Sequence, residues 1–330
     1  MTSLDVTKNT LLRSLNFNEN LISTIDISKN TFLDSFSCDN NLLTSLDVSK
    51  NTNLNALYCS ANNLTSLDVS TNQKLKLFHC ASNQLMNIDI SANSDLLSLI
   101  VSDNLFTNLS IEKNLLLENL EIDSNQITSL DISSHTALKH YSCSINPLKT
   151  LDVSKNVNLI RLYCNYNQLT TLDLSTLVKL TFLQAIGNDL KNVNLKNGKN
   201  TLIIPYAPNF SDNPNLTCIQ VDDVAYANSN WNQKPRTAIH STSCPSLGIE
   251  DVIFNTVSLY PNPTKGELHI DNIILEQAIL YDALGRKIET ISFDKTATKN
   301  TIDLLNYSKG QYYLYLKSQG NFTVKKIMVE

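Results

Sequence analysis

Glycine and proline are scarce in this 330-residue chain, at 7 and 8 residues, and tryptophan occurs once. So few backbone-bending residues exclude a collagen-like repeat and a Pro/Gly-rich disordered chain. No run of 18 apolar residues occurs, so no segment has the make-up of a membrane-crossing helix. Positive charge is short as well: 26 basic against 31 acidic residues leave a net charge of −5, which argues against nucleic-acid and polybasic membrane contacts. HExxH, CxxC, a nucleophile elbow and a glycine-rich phosphate loop are missing, and His79, His135, His140, His240 and His269 follow no ligand spacing. The expectation is a protein that is not an enzyme and takes no cofactor and no metal. The opening MTSLDVT already lies inside a repeat, with no basic-then-apolar leader, so a natural start carrying a signal peptide is expected upstream.

What is abundant comes in a fixed order. The tetrapeptide LDVT at Leu4 returns as IDIS at Ile25, LDVS at Leu46 and Leu67, IDIS at Ile88, LSIE at Leu109, LDIS at Leu130, LDVS at Leu151, LDLS at Leu172 and VNLK at Val193, always 21 residues on. A fixed period in this range signals a stacked solenoid, because one unit cannot bury its apolar side alone. Counted from each opening residue as position 0, apolar residues fall at 0, 2, 8, 11, 13 and 18; in the third coil these are Leu46, Val48, Leu54, Leu57, Cys59 and Leu64. Across ten coils only Thr201 and Ser211 interrupt that set. The alternation at 0/2 and at 11/13 predicts two short strands per coil, and so two parallel sheets with neighbouring strands about 4.8 Å apart.

Asparagine occupies position 16 of all ten coils, from Asn20, Asn41 and Asn62 to Asn209, and position 5 of seven. A short amide that both donates and accepts suits a turn whose main-chain groups must be satisfied between coils. Position 13 is Cys38, Cys59, Cys80, Cys143 or Cys164 in five coils and Phe17, Val101, Ile122, Ala185 or Tyr206 in the others. A slot that also accepts valine needs an apolar plug, not a ligand or nucleophile, so these thiols are expected to be free and buried. Parallel Cβ vectors on neighbouring coils make the dihedral of a disulfide hard to reach.

The run L54-x-x-L57-x-C59-x-x-N62-x-L64-x-x-L67-D-V69 resembles the leucine-rich repeat, in its nested 21-residue bacterial form called IRREKO. The resemblance covers residues 1–213 and implies a β-rich leucine-rich-repeat solenoid, a fold generally used to bind proteins or other macromolecules. Residues 214–244 resemble the cap that follows such repeats in exported bacterial proteins, which implies pairing of Cys218 with Cys244. Such a bridge would stabilise the cap by roughly 3–4 kcal/mol in the chain-entropy picture. Two unpaired thiols are the alternative, since a disulfide presumes an oxidising compartment.

Residues 245–256 fit neither neighbour and read as a linker. From 257 onward, short alternating segments between Gly, Asn and Pro turns predict an Ig-like antiparallel β-sandwich of about seven strands. Within 257–330, YPNPTKG, LYDALGRKI, KGQYYLYL and the closing KKIMVE resemble the type A C-terminal sorting domain of the type IX secretion system of Bacteroidota. That resemblance puts Pro261, Asn262, Pro263 and Gly266 in an opening turn, Gly285 and Arg286 in a mid-domain turn, and Gly310 and Tyr312 in the last hairpin. It implies the secretion machinery as a partner, and a secreted or outer-membrane cell-surface location.

The two walls of the repeat differ in their outward residues. On the 0/2 wall position 1 is Asp in eight coils and position 3 is Ser or Thr in eight, whereas positions 10 and 12 of the other wall change from coil to coil. The aspartate column, Asp5 to Asp173 broken at Ser110, supplies too few converging oxygens for calcium and is expected to bond to nearby Ser, Thr and backbone donors. A surface that reads a shaped partner should vary, and aromatic and arginine side chains dominate binding hot spots. Tyr58, His79, His140, Arg161, Tyr163 and Phe182 are therefore the candidate binding residues. Together these features point to an exported, adhesin-like binding protein whose solenoid engages a protein or glycan. The alternatives are a remnant of an exported enzyme whose catalytic domain lies upstream, and a structural spacer.

Overall fold

The structure is a computed structural model that describes residues 1–244, 257–283, 285–294, 296–318 and 321–330. The chain divides into two compact units, Met1–Cys244 and Pro245–Glu330. The segment read as a linker, 245–256, lies outside the described residues.

The first unit is a parallel-strand solenoid. Positions 10–12 of nine consecutive coils form β1 (Ser14–Asn16), β2 (Ser35–Ser37), β3 (Ala56–Tyr58), β4 (Leu77–His79), β5 (Ser98–Ile100), β6 (Asn119–Glu121), β7 (His140–Ser142), β8 (Arg161–Tyr163) and, after an intervening strand, β10 (Phe182–Gln184). They make one nine-stranded sheet in which each strand pairs with the same three positions of its neighbour. Position 11 points inward and joins a single apolar core that runs from Val6 into the cap. The five ladder cysteines are free and buried among it. Burial pushes the Cys80 and Cys164 thiols up to about 12, so they stay protonated, and the Cys143 and Cys164 sulfurs sit 3.5 Å from the carbonyls of Tyr163 and Gln184 on the next coil.

The second parallel sheet is shorter than the repeat predicts. Only four strands form it: β9 (Thr171–Asp173), β11 (Asn192–Asn194), β12 (Cys218–Gln220) and β13 (Ile239–Ser241). In the first eight coils the 0/2 wall is extended but carries no strand ladder among the described residues. These coils are tied to one another by the position-5 column. There Asn51 Nδ2 donates to the carbonyls of Ile27 and Asn30, and Asn72, Asn93, Asn114 and Asn156 repeat the pattern one coil at a time. These side-chain amides tie each coil to the one before it at the carbonyls of positions 2 and 5. The seventh coil substitutes His135, whose Nε2 reaches the Ile111 carbonyl at 3.0 Å. After Asn156 the column ends, position 5 becoming Leu177 and then Gly198, and main-chain bonds such as Leu174 N–H to Asn194 O (2.8 Å) take over.

Position 16 carries the turns. Asn104 Nδ2 donates to the carbonyls of Cys80 on the preceding coil (3.0 Å) and of Val101 and Ser102 on its own (3.1 Å each), while Oδ1 accepts from Leu85 N–H at 2.9 Å. The residue before each of these asparagines is left-handed, as at Glu19 (φ 57°), Ala61 (φ 53°) and Tyr166 (φ 51°). A side chain in that region is disfavoured, and the amide clamp on the flanking carbonyls offsets the cost. The tenth coil departs from the expected phase. Asn213, not Asn209, accepts from Leu190 N–H and donates to Ala185 and Phe210, and the left-handed residue is Asp212. The turn at 200–207 carries four extra residues, which displaces Ile204 and Tyr206 from expected inward slots to 53% and 75% exposure. Ile203, Ala207 and Phe210 fill the core in their place.

The cap follows. Asp223 caps α1 (Val224–Asn230) through Ala225 and Tyr226 N–H, and buried Trp231 stands edge-on to Tyr226 and to His240. The Cys218–Cys244 disulfide closes this segment, as the cap resemblance implied.

The second unit holds seven described antiparallel strands. β14 (Ser258–Tyr260), β15 (Glu267–Asp271) and β18 (Lys299–Asp303) form one sheet; β17 (Lys287–Ser292), β16 (Gln277–Asp282), β19 (Gly310–Ser318) and β20 (Asn321–Val329) form the other. Leu268, Ile270 and Ile302 from the first meet Ala278, Leu280, Leu314, Leu316 and Ile327 from the second in a core of their own, which makes a small sandwich.

The clamp at Asn104 can be tested directly. Asn104→Leu would strand the Leu85 N–H in the core and leave the Cys80, Val101 and Ser102 carbonyls with one donor each, from Asn83, Asn125 and Ser82, and a buried group left unmet costs roughly 1–3 kcal/mol. Urea unfolding followed by circular dichroism should show a loss of about 1–3 kcal/mol; an unchanged midpoint would contradict the clamp.

A candidate binding wall on the solenoid

The outward residues of the nine-stranded sheet form one continuous wall, because positions 10 and 12 of a three-residue strand share the face opposite position 11. The six candidate residues lie on it in two groups. Tyr58 and His79, directly paired on β3 and β4, meet edge-on with ring centroids 5.0 Å apart. His140, Arg161, Tyr163 and Phe182 stand together on β7, β8 and β10, with Tyr163 and Phe182 rings also 5.0 Å apart and tilted by 36°. Between the groups lie Ser98, Ile100, Asn119 and Glu121 on β5 and β6. Ser98 Oγ links them, lying 3.0 Å from His79 Nε2 and accepting from Asn119 Nδ2 at 3.2 Å.

The second group borders a depression of about 320 Å³ lined by Asn119, Glu121, Asp123, His140, Tyr141, Ser142, Arg161 and Tyr163. It carries both signs of charge. Asn119 Nδ2 reaches Glu121 Oε1 at 3.3 Å. Asp123 is half-buried; its two oxygens each lie 2.7 Å from Ser142 Oγ, and Oδ1 accepts from Ser144 N–H at 2.5 Å. Burial raises the Asp123 carboxyl above its ordinary range, against the lowering effect of the Ser142 and Ser144 donors. His140 is held below the ordinary imidazole value, by burial first and then by the Arg161 charge, so it stands neutral at pH 7 and can both donate and accept. No carboxylate among the described residues pairs with Arg161.

Asn119, Glu121, Asp123 and Ser142 were not among the candidates. Asp123 belongs to position 14, which looks irregular as text: Asn18, Asp39, Ser60, Ala81, Ser102, Asp123, Ser144, Asn165. In space much of it is a ladder, since Asn18, Asp39, Ser102, Asp123, Ser144 and Asn165 each accept from the main-chain N–H of the same position one coil on. The shared signal is acceptor capacity, which residue identity hides.

The opposite wall has a different chemistry. Each aspartate of its column accepts from the N–H two residues on, as Asp47 does from Ser49 (2.8 Å) and Asp152 from Ser154 (2.9 Å). These donors hold Asp5, Asp26, Asp47, Asp68, Asp89, Asp131 and Asp152 below the ordinary carboxylate value, outweighing repulsion from neighbouring aspartates where it is felt.

In the second unit Pro261, Asn262, Pro263 and Gly266 lie in the turn between β14 and β15, where Asn262 Nδ2 donates to Lys326 O (3.0 Å) and Oδ1 accepts from Met328 N–H (2.9 Å). A Cβ on Gly266 would stand 2.6 Å from a Leu305 methyl. Gly285 (φ 77°) and Arg286 join β16 to β17, with Arg286 Nε 2.7 Å from Asp282 Oδ2. Gly310 and Tyr312 lie on β19 of the final hairpin, and the Tyr312 hydroxyl donates to Ser308 O at 2.7 Å.

The repeats place the first unit in the class of leucine-rich-repeat solenoids. Its architecture is similar to the functional domain of InlJ from Listeria monocytogenes, described as including a cysteine ladder: TM-score 0.54, 22% identity, over 99% of this chain and 83% of that one. It is also similar to the leucine-rich-repeat protein LIC12759 of Leptospira interrogans (0.54, 19%, 74% and 71%) and to the leucine-rich effector YopM of Yersinia pestis (0.52, 22%, 66% and 58%). At these identities the likeness establishes the fold alone. Residues 258–330 match the secretion system C-terminal sorting domain, so the chain is an exported leucine-rich-repeat protein with a type IX sorting tail. No curated protein matches the sequence, and no helix among the described residues is long and apolar enough to cross a membrane.

Asp123 gives the wall a pH signature. Its folded pKa is raised above the unfolded 3.8, so the ionised form is penalised in the fold at high pH and the penalty is relieved as pH falls towards the unfolded value. Ser142→Ala removes the hydroxyl and raises that carboxyl further. The variant should lose about 1–2 kcal/mol at pH 7, and the deficit should shrink as denaturation curves are taken towards pH 4 or about that value. A deficit independent of pH would refute the role given to Ser142.

Proposed function

We propose that this protein is a non-catalytic, adhesin-like binding protein that uses the nine-stranded wall of its solenoid to hold a macromolecular partner outside the cell. The observation that carries the reading is the contrast between the two walls. The 0/2 wall repeats its Asp and Ser/Thr columns and spends them on its own main chain. The nine-stranded wall presents a different pair of side chains on each coil, with one aromatic pair, Tyr163 and Phe182, beside a depression of mixed charge and a second, Tyr58 and His79, further along the sheet. A spacer needs no such convergence.

The second unit supplies the route. Its match to a sorting domain supports recognition by the type IX machinery and a secreted or surface-anchored product. Each unit buries its own apolar core, so removing residues 257–330 should leave the solenoid folded and held in the periplasm. Surface detection of the truncated chain by protease accessibility would overturn the sorting role.

For the wall, Tyr163→Ala with Arg161→Ala in the full chain should weaken adherence to a panel of host-matrix proteins and glycans about tenfold or more, since aromatic and arginine truncations dominate interface losses. Asp68→Asn with Asp89→Asn on the opposite wall should leave adherence unchanged. Equal losses in both pairs, or none in the first, would sink the wall reading.

A further inference from the structure

Resting on that reading, the chemistry of the depression narrows the partner: we infer that it is a subsite for a neutral sugar ring of a glycan. Glu121 and Asp123 only accept when ionised, Arg161 only donates, His140 does either, and Ser142, whose hydroxyl hydrogen is given to Asp123, accepts. All five line one depression of about 320 Å³. A lysine or arginine from a partner protein would answer the carboxylates but meet the unpaired charge of Arg161. A carboxylate or sulfate would answer Arg161 but meet Glu121 and Asp123. A neutral polyhydroxyl ring leaves neither side unmet, because each hydroxyl donates to one neighbour and accepts from another. Burying an unpaired charge costs several kcal/mol, so this balance discriminates more strongly than shape.

Size and the apolar wall agree. The volume lies at the small end of the range for small-molecule pockets, roughly 300–1,000 Å³, which suits one or two rings. Tyr163 lines the depression and leans on Phe182. It offers a flat apolar surface for the C–H face of a ring beside groups that read its hydroxyls. His79 and Tyr58 lie four and five strands from Tyr163 on the same sheet, placed for a further part of an extended chain.

The test uses the full chain on an immobilised panel of neutral, sialylated and sulfated oligosaccharides, with the same neutral glycans also presented on glycoprotein and on glycolipid vesicles. Binding should favour neutral glycans, and the two presentations identify the source. Glu121→Gln and Arg161→Gln should each weaken it about tenfold or more, with thermal unfolding confirming that both variants fold. Adherence that needs Tyr163 and Arg161 yet survives periodate oxidation and enzymatic deglycosylation of the partner would overturn the sugar subsite while leaving the wall reading intact. Preference for charged glycans, or no binding to any glycan, would overturn it too. Binding that ignores both substitutions would remove the wall and the subsite together.

Discussion

An asparagine side chain that reaches from one coil to the one before it is the interaction on which the solenoid depends. Every coil must reverse direction at position 16, and reversal leaves main-chain groups without sheet partners inside the core. Asn62, Asn83, Asn104 and their counterparts each meet one N–H and a carbonyl of the preceding coil, and two carbonyls of their own, with a single amide. No other small side chain both donates and accepts at that reach. Because the clamp is the same from the second coil to the ninth, the apolar slots line up, and a slot such as position 13 can vary between thiol, alanine and valine without disturbing the stack.

A second amide column distinguishes the two walls. Where position 5 is Asn, its side chain ties neighbouring coils, and each outward Asp accepts from the backbone N–H two residues on. That wall is committed to itself. On the other wall the main chain satisfies its own ladder through β1 to β8 and β10, so the side chains of positions 10 and 12 are not needed to pair the strands. Asp123 is the exception in the depression, since at position 14 it also accepts the Ser144 N–H of the next coil.

The sorting unit follows a different logic within the same chain. Its sandwich is pinned by contacts far apart in sequence, among them Asn262 with the main chain of β20 and Ser318 with Ile274 O. A solenoid stabilised by neighbour contacts and a sandwich stabilised by long-range pairing each carry a separate core, which is compatible with one serving as cargo and the other as its address.

Much of this was readable without coordinates. A strict 21-residue spacing, Asn at position 16 and an inward set of six apolar positions determine a stacked solenoid, because only stacking buries such a face. The ordered YPNPTKG, LYDALGRKI and KGQYYLYL segments mark the sorting unit. The sequence alone also determined that the ladder thiols are plugs, since Val101 and Ala185 occupy the same slot. Tertiary structure decided the rest. The missing strands on the 0/2 wall could not be read, because the alternation of apolar residues records which side chains point inward and not whether neighbouring backbones pair. The phase shift from Asn209 to Asn213 was hidden by an asparagine that happens to keep the period. The depression at Glu121, Asp123, His140 and Arg161 joins residues up to 40 positions apart on three coils, and its half-buried carboxylate belongs to a column defined by what its members accept. A distance between coils, and a hydrogen bond across it, exist only once the chain is stacked.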